Sequence, residues 1–228
     1  MATIADNLHQ VRLRIERASA DAGRPAQSVT LLAVGKTFPP DALRAAFDAG
    51  ARCFGENYVA EAIDKISLLA DLRERIEWHL IGPLQANKTR AVAEHFDWVH
   101  SVDRLKIAQR LSEQRPAHLP PLQLCLQVNI SGEASKSGLA IDEVPDVARA
   151  VAALPGVRLR GLMAIPAPAA DVAAQRAPHA RLRELLMHLQ REGLALDTLS
   201  MGMTADLEAA IAEGATIVRV GTAIFGAR

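Results

Sequence analysis

The sequence predicts a single α/β domain, a (β/α)8 TIM-type barrel with an extra N-terminal helix. Eight short apolar segments alternate with longer amphipathic segments along the 228 residues, which is the pattern of parallel β/α repeats. Eight is also the number of strands that closes such a barrel. No Gly-x-Gly-x-x-Gly follows the first strand, which disfavours a dinucleotide-binding open sheet, although a doubly wound sheet stays open as the structural alternative. We therefore predict one domain over 1–228, with a leading helix at 1–22 and the barrel at 29–228.

The individual elements follow from the spacing of the apolar residues. Apolar residues three or four positions apart predict the leading helix over 4–22, with the stripe Ile4, Leu8, Val11 and Ile15. The predicted strands are 29–35, 52–55, 77–81, 97–100, 122–130, 157–164, 197–200 and 217–220. The predicted helices between them are 40–50, 57–74, 85–95, 103–113, 142–153, 171–192 and 204–213. Two prolines predict a loop over 166–170, because proline fixes φ and has no N–H to donate.

Composition argues against several classes of function. Lys plus Arg total 26 and Asp plus Glu total 26, so the chain lacks the basic excess of a nucleic-acid-binding protein. Its apolar runs are too short for a membrane-spanning helix, and its first residues lack the pattern of a secretory signal. Cys53 and Cys125 lie in separate apolar runs and predict core residues in a reducing compartment. No Cys-x-x-Cys or His-x-x-x-His occurs, so the sequence predicts no metal site. We expect a cytoplasmic monomer.

Lys36 is the only charged residue in the apolar run Val29–Thr37. Pro39 and Pro40 follow and end the strand. In a barrel of parallel strands, the C-terminal end of each strand faces the ligand site. A neutral amine at that end is a nucleophile whose usual target is an aldehyde. Lys36 is therefore the candidate for covalent attachment of a carbonyl ligand.

Two segments that follow the last two strands predict a phosphate site. Gly221 lets the backbone approach an oxyanion, and Thr222 adds a hydroxyl donor. The segment Ser200–Thr204 follows the preceding strand and supplies a second hydroxyl and another glycine. Barrel enzymes often bind phosphate at the loops after strands seven and eight. Each segment alone fits an ordinary strand-to-helix turn as well, but their positions at the ends of consecutive strands favour phosphate binding.

Three further polar residues have both a structural and a functional interpretation. Arg219 alternates with Val218 and Val220, so its side chain faces into a barrel, where it needs either a salt-bridge partner or a heterocycle nitrogen as acceptor. Asn57 follows a strand and either caps the next helix or binds a phenolic oxygen. His79 follows a tryptophan and fits a core or rim position as well as a ligand contact.

Six ordered motifs, spread over nearly the whole chain, resemble the pyridoxal phosphate homeostasis protein family. They are Ala33–Thr37, Phe54–Tyr58, Trp78–Lys88, Gly161–Met163, Leu199–Met203 and Arg219–Gly226. That family is similar to the N-terminal barrel of alanine racemase and binds pyridoxal 5′-phosphate (PLP), the coenzyme form of vitamin B6. The resemblance therefore implies the same barrel and the same cofactor.

The resemblance also implies a role for each candidate residue. Lys36 would hold PLP covalently as a Schiff base, Arg219 would face the pyridine nitrogen, and Asn57 would lie near the phenolic oxygen. The implied phosphate contacts are Ser200, Gly221 and Thr222, and the other implied cofactor contacts are Met201, Gly202 and His79.

The sequence departs from the family pattern at three positions. Gly35 stands where Ser is usual, Phe38 where Lys is frequent, and Leu80 where Phe is common. Phe38 argues against a mechanism that needs a second lysine beside the Schiff base. Lys136 is expected to be a solvated loop charge, and the segment Gln85–Lys88 is either solvated or turned toward the pocket.

Arg219 also bears on whether the chain is an enzyme. Arginine stays protonated, so a pyridine nitrogen beside it stays unprotonated and PLP becomes a weaker electron sink. Racemisation needs an acid or base on each face of the substrate carbon; Lys36 can serve one face, and Tyr58 is the only tyrosine. The sequence therefore predicts a PLP carrier or buffer in intracellular PLP homeostasis, with PLP-requiring apoenzymes as implied partners. A weak PLP-dependent amino-acid racemase, and a barrel that binds another organic phosphate through Lys36, stay open as alternatives.

Overall fold

The structure, a computed structural model, is a closed barrel of eight parallel strands arranged in chain order, with the first strand paired to the last. It describes residues 2–132 and 137–226. The strands are β1 (Thr30–Val34), β2 (Cys53–Glu56), β3 (Glu77–Leu80), β4 (Trp98–Val102), β5 (Leu122–Gln127), β6 (Val157–Met163), β7 (Thr198–Ser200) and β8 (Ile217–Val220). The predicted barrel and its eight strands are confirmed.

Helices form the outer ring of the described chain. They are α1 (Ile4–Asp21), α2 (Pro40–Asp48), α3 (Val59–Leu68), α4 (Thr89–His95), α5 (Leu105–Gln114), α6 (Val144–Ala152), α7 (Val172–Arg191), α8 (Leu207–Ala212) and α9 (Thr222–Phe225). The predicted leading helix is α1, which packs against α2, α8 and α9. Because α9 is a single turn, α1 takes the place in the ring that a longer helix after β8 would occupy.

Some element boundaries differ from the prediction. The helix predicted over 57–74 divides into α3 and a 3-10 segment at Ala70–Arg75. Leu69 and Leu72 are both buried, and their spacing of three fits a 3-10 turn as well as an α-helix, so periodicity could not show the break. The helices predicted from 85 and 204 begin at Thr89 and Leu207, and the strand predicted over 122–130 ends at Gln127.

Alternate residues of each strand point into the barrel, and this interior contains both apolar and polar layers. The apolar cluster consists of Leu32, Trp98, Cys125, Met163 and Ile217. The buried polar side chains include His79, His100, Ser200 and Arg219. A larger apolar core lies between the strands and the helices. None of the described helices combines the length and the apolar content that crossing a bilayer requires.

Gly161 allows β6 to approach β7 closely. A Cβ atom at this position would lie 1.8 Å from the carbonyl oxygen of Thr198. Because that oxygen belongs to the backbone of the paired strand, no side-chain rotation can relieve the clash.

We expect Gly161→Ala to lower the free energy of unfolding by about 3 kcal/mol or more, measured by urea denaturation. Arg158→Ala, exposed on the same strand, is the control and should change it by less than about 0.5 kcal/mol. Equal stability of the two variants would contradict this account of the strand contact.

Candidate functional site

A cavity of about 590 Å³ opens at the C-terminal end of the barrel. Five of the nine predicted site residues line it: Lys36, Asn57, Arg219, Gly221 and Thr222. The other lining residues are Val34, Phe38, Ile81, Ile165, Met203, Thr204, Ala205 and Gly226. The volume lies within the usual range of small-molecule sites, and the walls are largely apolar with a few polar groups, as such sites usually are.

Lys36 lies in a tight turn directly after β1. The turn is closed by the Phe38 N–H, which donates to the Gly35 carbonyl at 3.0 Å. Its third residue, Thr37, has a φ of 64°, a left-handed conformation that is rare for a β-branched residue and costs about 1–3 kcal/mol. Lys36 itself has no hydrogen-bond or ion-pair partner among the described residues, and it is one of the residues that line the cavity.

A second lysine, Lys65 in α3, is hydrogen-bonded to this turn. Its Nζ donates to the Gly35 carbonyl at 2.7 Å, to Glu56 at 2.9 Å and to Glu61 at 2.6 Å. Glu61 also accepts the Thr37 N–H at 2.5 Å, so one carboxylate joins the buried ammonium to the strained residue. This network fixes the backbone on both sides of Lys36.

Glu56 is the buried member of the network. Burial raises the pKa of this carboxyl from 4.5 to about 7, and Lys65 opposes the shift. Gly35 is fitted around the same carboxyl group, because a Cβ there would lie 2.9 Å from Glu56 Oε1. Glu56 lies within the sequence motif Phe54–Tyr58, but Glu61 and Lys65 were missed. Their spacing of four is the ordinary signal of a surface ion pair, so nothing in the sequence marks this pair as buried.

Arg219 extends from β8 into the barrel, where it is 4% exposed. It donates to Ser200 Oγ at 2.8 Å and to the Ala164 carbonyl at 2.8 Å. Burial lowers its pKa to about 10, so the guanidinium is still protonated at neutral pH. Within the described ranges no carboxylate forms an ion pair with it, which leaves its remaining N–H groups available to a ligand in the cavity.

Two histidines continue this hydrogen-bonded chain away from the cavity. Ser200 Oγ lies 2.7 Å from His100 Nδ1, and His100 Nε2 lies 2.9 Å from His79 Nδ1. Burial lowers the pKa of His79 and lowers that of His100 still further, so both rings are neutral at neutral pH. Ser200 and His79 were predicted as cofactor contacts, but neither is among the residues that line the cavity. Ser200 is hydrogen-bonded to Arg219 directly, and His79 is connected to it through His100 and Ser200.

Met201 and Gly202 are also buried and are not among the cavity-lining residues. The Gly202 carbonyl accepts a hydrogen bond from the backbone N–H of Arg219 at 3.0 Å, so this segment is bonded to the backbone of β8. Gly202 has a φ of 90°, and a Cβ there would lie 2.5 Å from the Ala210 side chain. The glycine lets the chain turn toward Met203, Thr204 and Ala205, which do line the cavity.

Asn57 follows β2 and contacts the cavity with its side chain. Its Oδ1 is buried and has no hydrogen-bond partner. The alternative that Asn57 caps the next helix is wrong: Tyr58 is the N-cap of α3, and no side chain caps that helix. Gly82 packs against the Asn57 backbone, with 2.1 Å between a hypothetical Cβ and the Asn57 carbonyl oxygen. The Asn57 backbone is therefore held in place, and its side-chain oxygen has no partner among the described residues.

Gly221 and Thr222 begin α9 at the edge of the cavity. A Cβ on Gly221 would lie 3.2 Å from the Val34 carbonyl, so the glycine lets β8 end close against β1. The first N–H groups of a helical turn lack an acceptor inside the helix. Phe225 at the end of α9 stacks on Phe38, with ring centroids 5.0 Å apart, and closes that side of the cavity.

Other polar segments lie outside the cavity wall. Gln85, Asn87 and Lys88 are exposed. Lys136 lies outside the described residues. The sequence pointed to Thr204 only as part of a motif, whereas Ile165 and Ala205 carry no signal that would connect them to a site.

Comparison with known proteins identifies the family of this chain. The family model for the alanine racemase N-terminal domain matches residues 7–228. A pyridoxal phosphate homeostasis protein of Pseudomonas aeruginosa is 64% identical over 228 residues, which cover 100% of this chain and 97% of the relative. The protein of the same name from Escherichia coli is 54% identical over 229 residues, covering 100% and 98%. The chain belongs to the pyridoxal phosphate homeostasis protein family.

Solved structures extend the comparison to the family's fold. PipY of Synechococcus elongatus with PLP bound is 40% identical, with a TM-score of 0.84, and the match covers 98% of this chain and 100% of PipY. Alanine racemase of Corynebacterium glutamicum is 19% identical with a TM-score of 0.69, and the match covers 97% of this chain and 59% of the racemase. The second likeness shows a shared barrel fold only.

Removing the Lys65 ammonium should destabilise this member of the family strongly. Lys65→Met leaves the Glu56 carboxylate buried without a counter-charge, and we expect a loss of about 3–5 kcal/mol in the free energy of unfolding, measured by urea denaturation at neutral pH. The loss should be larger at higher pH. The pKa of Glu56 is about 7 with Lys65 in place, and removing Lys65, which opposes the shift, raises it further. A raised carboxyl pKa stabilises the fold below the unfolded value of 4.5, and this contribution is lost as the pH rises through the folded value, so the variant is least stable above pH 7.

Two controls test this prediction. The double variant Glu56→Gln with Lys65→Met removes the uncompensated charge and should recover most of the loss. Arg90→Ala breaks an exposed pair with Glu94, also spaced four apart, and should cost at most about 1 kcal/mol. A Lys65→Met variant as stable as Arg90→Ala would show that the buried network does not hold the turn.

Proposed function

We propose that this protein binds PLP in the cavity at the C-terminal end of the barrel, holds it as a Schiff base on Lys36, and serves as a PLP carrier or buffer without robust amino-acid turnover. PLP supplies an aldehyde that condenses with a primary amine to form an imine and water. The Lys36 amine is the nucleophile for this step, since it lines the cavity and no described residue engages it.

The lining residues fit PLP chemically. The cavity offers the protonated guanidinium of Arg219 and the amine of Lys36 to a strongly anionic ligand. Arg219 can donate only, so it suits an unprotonated ring nitrogen. The unsatisfied Oδ1 of Asn57 requires a polar group beside it, which a phenolic oxygen supplies when it carries a proton. Thr222 and the N–H groups that begin α9 provide donors for a phosphate.

One observation carries the choice of a carrier over an enzyme. Among the described residues that line the cavity, only Lys36 and Arg219 are ionisable. Racemisation needs a second acid or base across the substrate carbon from Lys36, and arginine is a poor base because it stays protonated. Tyr58, the single tyrosine of the sequence, is 57% exposed and is not part of the cavity wall.

Cellular context forms part of the proposal. We place the protein in the cytoplasm as a monomer that accepts PLP and releases it to PLP-requiring apoenzymes. The names of its curated relatives support a role in PLP homeostasis, and the PLP-bound PipY structure supports binding of this cofactor by the shared fold.

Absorption spectroscopy tests the covalent attachment. The purified protein mixed with PLP should develop the visible band of an imine, and borohydride should fix the label on the peptide that contains Lys36. Lys36→Ala should lose the band because it removes the nucleophile. Lys88→Ala, which changes an exposed lysine outside the cavity wall, should keep it. A protein that stays colourless after saturation with PLP, or a label that maps elsewhere, would overturn the proposal.

Isotope exchange separates the carrier from a racemase. In deuterated water, the PLP-loaded protein should exchange the α-proton of L-alanine or L-serine no faster than free PLP does, measured by NMR, because the second base is lacking. Lys36-dependent exchange at enzymatic rates, on the order of 1 s⁻¹ or faster, would instead establish the racemase alternative.

A further inference from the structure

Three metal-ligand side chains meet at the end of the barrel opposite the cofactor cavity. Cys53 and Glu77 are directly paired at the beginnings of β2 and β3, and His79 is two residues further along β3. Residues two apart on a strand share a face, so all three side chains lie on the interior side of the sheet. Cys53 Sγ is 3.5 Å from Glu77 Oε2, and His79 Nε2 is 3.7 Å from the same oxygen. The three ligand atoms all lie within 4.8 Å of one another.

His79 Nε2 is an unsatisfied polar atom aimed into this cluster. The side chain is 1% exposed, and Nε2 has no hydrogen-bond partner in the part of the chain that the structure describes. The contact of 3.7 Å with Glu77 is too long for a hydrogen bond. A buried nitrogen without a partner is destabilising, so its position beside Cys53 and Glu77 points to a ligand here.

We propose that Cys53, Glu77 and His79 form a binding site for a divalent transition-metal ion of the zinc class. Zinc bonds to sulfur at about 2.3 Å and to nitrogen or oxygen at about 2.0–2.1 Å, so tetrahedral angles place sulfur and oxygen ligands about 3.5 Å apart, and nitrogen and oxygen ligands about 3.3 Å apart. The observed separations of 3.5 and 3.7 Å are close to these values, and a small rotation of the exposed Glu77 side chain closes the difference.

The ligand set selects the class of metal. Thiolate and imidazole are ligands that zinc and its neighbours prefer, whereas calcium and magnesium require several oxygen ligands. As the metal–sulfur bond forms, the Cys53 thiol releases its proton to solvent, and no oxidant or reductant takes part. Thiolate and carboxylate together then supply two negative charges to the cation.

A separate cavity of about 480 Å³ at this end of the barrel would give a fourth ligand access to the metal. Cys53 and Glu77 are among its lining residues, together with several arginines. Arg160 is paired with Asp197 at 2.7 Å, and Arg52 donates to backbone carbonyls. These guanidinium groups are engaged elsewhere, so they do not take Glu77 from the metal, and they favour water or a small anion as the fourth ligand.

Hydrogen bonds beyond the ligands are already in place to orient His79. Its Nδ1 lies 2.9 Å from His100 Nε2, and a metal on Nε2 requires the ring proton on Nδ1, where it is donated to His100. His100 then donates from Nδ1 to Ser200 Oγ, which also accepts from Arg219. The same interior chain thus serves the metal ligand at one end and the cofactor cavity at the other.

Cobalt titration of the full-length protein tests the site, because Co²⁺ is a spectroscopic substitute for Zn²⁺. We expect one Co²⁺ per chain with a thiolate-to-cobalt charge-transfer band, displaced by Zn²⁺, which binds more tightly. Cys53→Ser should abolish the band, and Glu77→Gln should weaken binding by about tenfold or more. Zn²⁺ should also raise the thermal unfolding midpoint of the unaltered protein but not that of Cys53→Ser.

Matched controls separate this site from others. Cys125→Ala changes the other free cysteine, and Glu74→Gln changes another acid that lines the same lower cavity; both should retain full binding. Lys36→Ala should also retain it, so the metal site and the PLP site succeed or fail independently. Absence of a saturable band in the unaltered protein, or a band that survives in Cys53→Ser and disappears in Cys125→Ala, would overturn the proposal.

Discussion

The site depends on the buried ammonium of Lys65. A turn that carries a strained β-branched residue is stable only when the surrounding structure holds it, and here the holding groups are a lysine and two glutamates beneath the strand end. Such a network is costly to bury, and its separate parts would be destabilising. Because every partner is satisfied, it fixes the position of Lys36 while leaving the Lys36 amine itself without a partner.

The barrel interior contains a second buried charge, Arg219, that is also held by hydrogen bonds. Arg219 lies inside the barrel with no paired carboxylate in the described ranges, and its contacts are a hydroxyl and a carbonyl. Ser200 accepts from this guanidinium and connects it to two neutral histidines, so a buried polar chain fills part of an interior that such barrels usually fill with hydrocarbon side chains. The guanidinium keeps its charge, and it can donate to a ligand in the cavity without a competing counter-ion.

The proposed binding of PLP rests on these two features. Reversible imine formation needs a free amine, donors for the phosphate and a fixed ring contact, all of which the described cavity wall offers. Amino-acid turnover needs further proton-transfer groups around the substrate, and Lys36 and Arg219 are the only ionisable residues in that wall. The choice between the proposed carrier and the racemase alternative therefore rests on the side chains that surround Lys36 in the cavity wall.

The sequence by itself determined the barrel, the order of its strands, and the residues that reach the cavity from strand ends. Alternating apolar segments and turn residues are local signals, and the C-terminal ends of parallel strands converge whatever lies between them. Lys36, Asn57, Arg219, Gly221 and Thr222 were found in this way.

Only the tertiary structure decided which polar residues stand behind them. Ser200 and His79 support Arg219 from below, while Glu61 and Lys65, which resemble an ordinary helix-surface pair, are held against the Lys36 turn. Cys53 lies on a different strand from Glu77 and His79, so no motif in the sequence predicts that these three side chains come together. The roles of these residues depend on how deeply each side chain is buried and on the distances between strands. The local spacing of apolar residues predicts neither quantity.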